Sequence, residues 1–445
     1  EMTQLFAVQA DIASKIAEAL DITLLEPERR NLETKPTENL DAYQAYLRGM
    51  DYDNRLEHSV EDVRMAVQMF ERAIELDPDF ALAYAQLSIA HSSMHHYGHD
   101  RTEERAAKAK DAANRALELK PGLPEAHLAL AWYHYHCHRE YDSALEELAI
   151  AQRGLPKDTR VLQVTGYIRR RQGFFNKALD NLTAALELSP RDADLIRNIA
   201  ETLALLRRYP EAERYFDRSI SQAPDQGVAY SEKAEIHWLW EGNIRKARAA
   251  LEGMPQKSDP RYYFGSWFRQ ELLERNYQAA LDLLASTPVE SFQSQFAFIP
   301  KAQLAGLVYR LMGEPERAIS SYDSARILLE KEVKEQPEDH RFRSSLGIVY
   351  AGLGRKEEAI REGQLGVELM PVSKDAYIGL YRVEGLAFIY VLVGECDLAL
   401  DRLEHLLSIP CKLSVPLLRL DPRWDPLRDH PRFQELLDKY SGEVN

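Results

Sequence analysis

The chain is poor in cysteine and in long apolar runs, and its cationic side chains are outnumbered by acidic ones; each of these facts removes a class of protein. Its three cysteines, Cys137, Cys396 and Cys411, are far apart and make no CxxC pair, so neither a disulfide framework nor a zinc knuckle organises the fold, and a reducing compartment is favoured. No apolar stretch approaches the roughly 18 to 20 residues that a membrane span needs. With 56 Lys and Arg against 71 Asp and Glu, the formal charge is −15, which argues against a broad nucleic-acid surface because phosphate binding rests on positive charge. Phosphate loop, HExxH, GxSxG and dinucleotide fingerprints are missing as well. Acidic pairs such as Glu146-Glu147 and Glu357-Glu358 fall on patterned helices where solvation is the default, so no acid/base dyad stands out. The expectation is a non-enzymatic protein without a cofactor.

What the sequence does contain is a period. Ala144, Ala178 and Ala212 are 34 residues apart, as are Pro156, Pro190 and Pro224, and Leu148, Leu182 and Phe216. Within each period apolar residues recur at helical spacing in two runs separated by a polar or glycine-containing break, such as Gln172-Gly173, so each unit reads as a helical hairpin. Small residues such as Ala178 and Ala185 lie on one face and let two helix backbones approach. Proline ends each second helix because it lacks the N–H and its ring clashes with a continuing turn.

The pattern resembles the tetratricopeptide repeat, with Gly166, Ala178, Ala185 and Pro190 at that repeat's small and closing positions. In the same register, repeats are expected through Ala66 to Pro78, Ala109 to Pro121, Ala144 to Pro156, Ala178 to Pro190 and Ala212 to Pro224. Degenerate units follow around Ala247 and Leu251 and around Ala280 and Leu284, then units at Gly306 to Ala325, Gly347 to Pro371 and Ala387 to Leu403. The expected fold is therefore all-α: a tetratricopeptide superhelical solenoid of about ten helical hairpins with a C-terminal capping segment. The divisions expected are an amphipathic helix over 1–25, a linker over 26–38, the repeat array over 39–410 and the cap over 411–445.

The end motifs "LFAVQADIASKIAEAL", "PTENLDAYQAYLRG" and "LDPRWDPLRDHPRFQELL" resemble the carboxy-terminal half of a bacterial signalling family. In that family a TolB-like domain precedes such repeats, downstream of an adenylate or guanylate cyclase, a Ser/Thr kinase or a winged-helix regulator. The resemblance implies that residues 1–25 are the remnant of an upstream domain. It also implies a sensory or scaffolding role beside an output domain, in the cytoplasm or, alternatively, beyond a membrane anchored upstream.

Two clusters are candidates for binding. The resembling family lines its concave groove with the first helix of each repeat. This implies a groove of Arg160, Gln163, Tyr167, Arg170 and Arg171, continued by Asp194, Arg197, Glu201 and the amide of Asn198, with Trp238 as an aromatic anchor. Arginine matches carboxylates with a planar fork of two charge-assisted hydrogen bonds, so the partner expected is a protein or peptide segment of acidic character. The alternative is a small-ligand or metal receptor, because His91 with His95 and His134 with His138 are each four apart on one helical face, at metal-ligand spacing. The competing reading of both clusters is ordinary packing and solvated helix faces.

Overall fold

The computed structural model describes residues 36–55, 59–97, 100–255 and 260–443, together with Asp11 and Lys15. The helix expected over 1–25, those two residues aside, and the linker up to residue 35 lie outside the described residues. Those described form ten consecutive helix pairs. They are α1 (Leu40–Asp53) with α2 (Val60–Leu76), α3 (Ala81–His96) with α4 (Glu103–Leu119), α5 (Pro124–Tyr133) with α6 (Tyr141–Gly154), and α7 (Thr159–Arg171) with α8 (Phe175–Leu188). Next come α9 (Ala193–Leu205) with α10 (Tyr209–Gln222), α11 (Gly227–Trp240) with α12 (Ile244–Glu252), and α13 (Pro260–Leu273) with α14 (Tyr277–Ser286). The last are α15 (Lys301–Leu311) with α16 (Pro315–Glu335), α17 (His340–Gly352) with α18 (Lys356–Leu369), and α19 (Gly379–Leu392) with α20 (Cys396–Leu407). The all-α hairpin fold expected from the period is the fold observed, and the two degenerate repeats form pairs like the others.

Local chemistry accounts for the helix boundaries. Asn39, Ser59, Thr102, Asp192 and Asp339 each cap a helix N-terminus by accepting from backbone N–H groups of the first turn, which satisfies donors that have no partner inside the helix. Between the helices of a pair the chain reverses through a left-handed residue, at Gly173, Gly313, Gly354 and Gly394, where the missing side chain removes the steric penalty. Arg139, Arg207 and Arg275 take the same left-handed backbone, a strain of about 1 kcal/mol for a residue with a side chain. Two of them compensate through contacts glycine could not make. Arg207 donates to the carbonyls of Leu406 and Leu413 at 3.3 and 3.4 Å, and Arg275 pairs with Asp425 at 2.6 Å.

The small residues of the period are where the helices meet. Ala66, Ala73, Ala109, Ala116, Ala144, Ala151, Ala178, Ala185, Ala212, Ala247, Ala280, Ala359 and Ala399 are all completely buried. A large side chain at these positions would separate the pair.

The chain forms two compact units, the first reaching to Ile168 with Glu187–Ser189 added, the second comprising Arg169–Leu186 and the chain from Pro190 onward. In the first unit the core runs from Ala42, Phe80 and Ala83, through Phe70, Leu87 and Ala90, to Leu128, Leu148, Val164 and Ile168. In the second, one cluster gathers Tyr322, Leu329, Phe342, Val349 and Ile389, and another Phe264, Phe268, Leu284 and Val308. The C-terminal segment, α21 (Val415–Leu420), a 3-10 turn (Pro422–Leu427) and α22 (Pro431–Tyr440), buries Trp424, Leu427 and Phe433 fully. It ties to α20 through Arg432 with Asp397 and Asp401 and through Lys439 with Glu404.

One element has no counterpart in the sequence expectations. Between α14 and α15 a short antiparallel hairpin pairs β1 (Ser291–Gln293) with β2 (Phe298–Pro300). Its tip is held by Arg341, which donates to Ser294 O at 2.9 Å, and by Arg382, which donates to Phe296 O.

Helix backbones approach closely at Gly347, where an added Cβ would stand 2.7 Å from Ile389 Cδ1 and 2.9 Å from the backbone nitrogen of Gly363. Gly347→Val is expected to cost about 3 kcal/mol through overpacking, read as a lowered urea midpoint of the whole chain; an unchanged midpoint contradicts the close approach.

Candidate functional site

Closing prolines give a register for the first-helix faces. Eleven residues after Pro36, Pro78, Pro121 and Pro156 stand Leu47, Ile89, Trp132 and Tyr167, one apolar or aromatic residue on each first helix of the first unit. Leu47 is 46% exposed, and Trp132 and Tyr167 are half-buried against the core around Leu128 and Ile168. Beside them the first unit gathers polar groups from four helices. Tyr46 on α1 is hydrogen-bonded to Gln86 on α3 and lies in the field of Arg160 on α7 and Glu125 on α5; burial pushes its hydroxyl up to about 12. Arg160 is held in a fork by Asp158, at 3.0 and 2.6 Å, and Gln163 donates to Tyr167 Oη at 2.7 Å. Burial also raises the Glu125 carboxyl, with Arg160 opposing.

In the second unit the same face is filled by the chain's own segments. Arg170 donates to Glu201 at 2.8 Å and to Asn198 Oδ1 at 3.2 Å. Arg171 donates to Asp375 at 2.9 Å, a pair with side-chain exposures of 4% and 0%, and its carbonyl accepts from Ala376 N at 2.6 Å. Asp375 in turn accepts from the backbone of Tyr377 and Ile378, both at 2.9 Å, which shapes the turn leading into α19. Tyr377 lies under the Arg170 guanidinium, 4.9 Å from its ring centroid, and donates its hydroxyl to Glu201. From the segment after α20, Lys412 reaches Glu201 at 3.3 Å and Glu235 on α11 at 2.8 Å. Arg197 bridges Asp194 at 2.7 Å and Glu232 at 2.9 Å. Phe296 at the β-hairpin tip packs on Tyr377 and Tyr381, with centroids 5.0 and 4.9 Å apart.

The electrostatics follow from this crowding. Burial pushes the Glu201 carboxyl up, but Arg170, Lys412 and Arg197 outweigh it and hold the group well below the usual carboxylate range. Lys412 is held well above its ordinary value because Glu235, Tyr377 and Glu201 outweigh burial. At Glu232 burial prevails over Arg197, with Glu201 adding to it, and the carboxyl is pushed up to about 7.

These positions revise the binding expectations. Arg170, Arg171 and Arg197 were expected to face a carboxylate-bearing partner, yet each already donates to carboxylates of this chain, and Arg170 and Arg171 are buried. Asn198 is buried beneath Arg170. Trp238 is 2% exposed and donates Nε1 to Gln270 at 2.8 Å, so it is helix packing and not an anchor for a partner. Arg160, Gln163 and Tyr167 remain partly accessible in the first unit. Glu235, Asp375, Tyr377 and Lys412 went unnoticed because they join the face through tertiary contacts. Gln86 did carry a signal, since it stands eight residues after Pro78 as Asn198 does after Pro190.

The histidines do not converge. His91 lies against Arg105, whose Nη1 is 2.9 Å from its Nδ1. Arginine can only donate, so that nitrogen is an acceptor and the ring is neutral; burial and then Arg105 lower it to about 3. His95 is lowered to about 4 by burial and Arg101. His134 belongs to a π-helical turn (His134–His138) and meets Glu140 at 2.7 Å, while His138 packs edge-on against Tyr133 at 4.9 Å. Among the described residues no three His, Cys, Asp or Glu side chains could hold a metal ion. A small-ligand seat finds little room beside the network: the cavity lined by Tyr377, Tyr381, Glu384, Cys411 and Lys412 is about 20 Å³, space for a single water. No helix among the described residues is long and apolar enough to cross a membrane.

Comparison with known proteins agrees on the repeat. The family model for the tetratricopeptide repeat matches residues 165–227 and 305–369, and the fold is the all-α tetratricopeptide-repeat fold. Anaphase-promoting complex subunit 3 of Dictyostelium discoideum is 30% identical over 95 residues, a match to 21% of this chain and only a tenth (10%) of that protein's length. Among solved structures, human IFIT1 as a dimer with m7Gppp-AAAA is similar with a TM-score of 0.43 at 17% identity, covering 81% of this chain and 76% of that one. PilF of Pseudomonas aeruginosa gives a TM-score of 0.38 at 22% identity, over 46% and 89% of the two chains. YrrB, a tetratricopeptide protein with an unusual peptide-binding site, gives 0.28 at 22% identity, over 47% and 98%.

Two measurements test the network. Lys412→Met leaves Glu201 and Glu235 without their shared cation and is expected to lower stability by about 3 kcal/mol in urea unfolding; no loss means that the contact is incidental. Glu232, raised to about 7 in the folded chain, holds a proton that the unfolded chain releases, so stability falls as pH rises from about 4.5 to about 7 and then levels. Glu201, shifted the other way, acts only below that window. Glu232→Gln is expected to gain roughly 1 to 2 kcal/mol on the parent between pH 5 and pH 8, and parallel pH profiles contradict the assignment.

Proposed function

We propose that the chain is a protein-interaction scaffold whose first unit holds an irregular segment of a partner protein on the first-helix face. The observation that carries this reading is internal to the molecule. In the second unit the equivalent face holds non-helical stretches of the same chain, around Asp375–Tyr377 and Lys412, through buried charge-assisted bonds. A surface that accepts such segments from its own chain has the chemistry to accept one from another. In the first unit that face offers Leu47, Trp132 and Tyr167 as an apolar and aromatic strip, with Arg160, Gln163 and Gln86 alongside. Aromatic anchors flanked by polar groups are the usual makings of a peptide seat.

Proteins built from helical repeats work chiefly through extended surfaces, and chemistry belongs to specific sites. The acidic partner inferred from arginines loses its support, since those arginines are paired within the chain. The end motifs alone support attachment of the repeats to a signalling output domain on the cytoplasmic side.

Random twelve-residue peptides displayed on phage and selected against the whole chain test the reading. Selected peptides are expected to bind with micromolar affinity by fluorescence anisotropy. Leu47→Asp, at an exposed position, is expected to weaken them at least about tenfold while moving the unfolding midpoint by less than about 0.5 kcal/mol. Failure to select any sequence, or binding indifferent to Leu47→Asp, overturns the assignment.

A further inference from the structure

The two units treat equivalent positions differently, and the difference identifies the partner's chemistry. In the second unit Asn198 sits eight residues after its closing proline, and its side-chain oxygen accepts from Arg170, fourteen residues after the preceding one. Gln86 occupies the corresponding place in the first unit, but fourteen residues after Pro36 stands Met50, which has no donor to offer. Gln86 is 2% exposed, and its Oε1 has no hydrogen-bond partner. The other end of the carboxamide, its N–H, donates to the Tyr46 oxygen, so the acceptor is the end left open. A buried carboxamide with one end unmet carries a cost that a partner's N–H group would remove.

Charge points the same way. On the second unit's face Glu201, Glu232 and Glu235 meet Arg170, Arg197 and Arg269, and Lys412, delivered on a non-helical segment, reaches both Glu201 and Glu235. On the first unit's face the near groups are Glu125, Asp158 and Arg160, with Asp158 and Arg160 paired to each other. Glu125 is half-buried in the field of Arg160 and Lys120 but makes an ion pair with neither, in a chain whose net charge is −15. The stacked pair Tyr43 and Tyr46, with centroids 6.2 Å apart, adds electron-rich faces of the kind that attract cations.

We propose that the seat formed by Tyr46, Gln86 and Glu125 takes a lysine or arginine side chain from the partner segment, as Glu201 and Glu235 take Lys412. This rests on the scaffold reading above and narrows it to a basic segment: the cation's N–H groups satisfy Gln86 and its charge balances Glu125. An acidic segment would bring a second carboxylate to the same place.

Twelve-residue peptide pools, each with one central residue fixed as Lys, Arg, Glu or Leu, are titrated against the whole chain and against Glu125→Gln and Gln86→Met. These variants replace the side chains with ones of similar size. Lys- and Arg-fixed pools are expected to bind about tenfold more tightly than Glu-fixed pools at low salt. In Glu125→Gln that preference should shrink to about twofold or less, and in Gln86→Met all pools should weaken with the ranking preserved. If peptides bind but Glu- or Leu-fixed pools match the basic ones, or if Glu125→Gln leaves the preference intact, the cation seat is wrong while the scaffold reading stands. If no pool binds, both fall together.

Discussion

Close approach of two helix backbones within each hairpin is the constraint on which everything else depends. A hairpin of about 34 residues cannot bury its own apolar face, so each pair must dock on the next, and docking needs flat, closely spaced helices. Completely buried alanines, from Ala66 in α2 to Ala399 in α20, and glycines such as Gly347, where no Cβ fits, meet that need. The caps at Asn39, Asp192 and Asp339 and the left-handed reversals then set where each helix begins and turns.

With the backbone settled this way, the two units use the first-helix face differently. In the second unit it is a buried ionic network linking α7, α9, α11, the segment before α19 and the segment after α20. Such networks are costly to desolvate and contribute mainly when every member is satisfied. Glu201 illustrates this: it accepts from Arg170, Tyr377 and Lys412 at once, and three donors keep it ionised despite full burial. In the first unit Gln86 Oε1 on the equivalent face lacks such completion.

The arginines at turn positions show how the same backbone requirement can be met with a second purpose. Glycine would reverse the chain without strain at Arg207 and Arg275, but only a long cation reaches Leu406 O, Leu413 O and Asp425. The local strain is exchanged for attachment of the C-terminal segments to helices that precede them by well over a hundred residues in the chain.

The alternation of small residue, apolar run and closing proline was enough to read off ten hairpins, because that information is local: caps, breakers and helix periodicity act over a few residues. Even the degenerate pairs at Ala247 and Ala280 were legible on that basis. The binding surface was legible only in part. Register placed Arg160, Tyr167, Arg170 and Arg197 on first helices correctly, but it could not say that Asp375 and Lys412 return from some two hundred residues away to pair with Arg171 and Glu201. The β-hairpin at Ser291–Pro300 likewise had no periodic signal, its strands being three residues long and held by Arg341 and Arg382 from later helices. The sequence alone determined the repeating hairpin, since helix, turn and cap are short-range. Only the tertiary structure decided which charges were already neutralised, since a charge's partner is set by distance in space and not by distance along the chain.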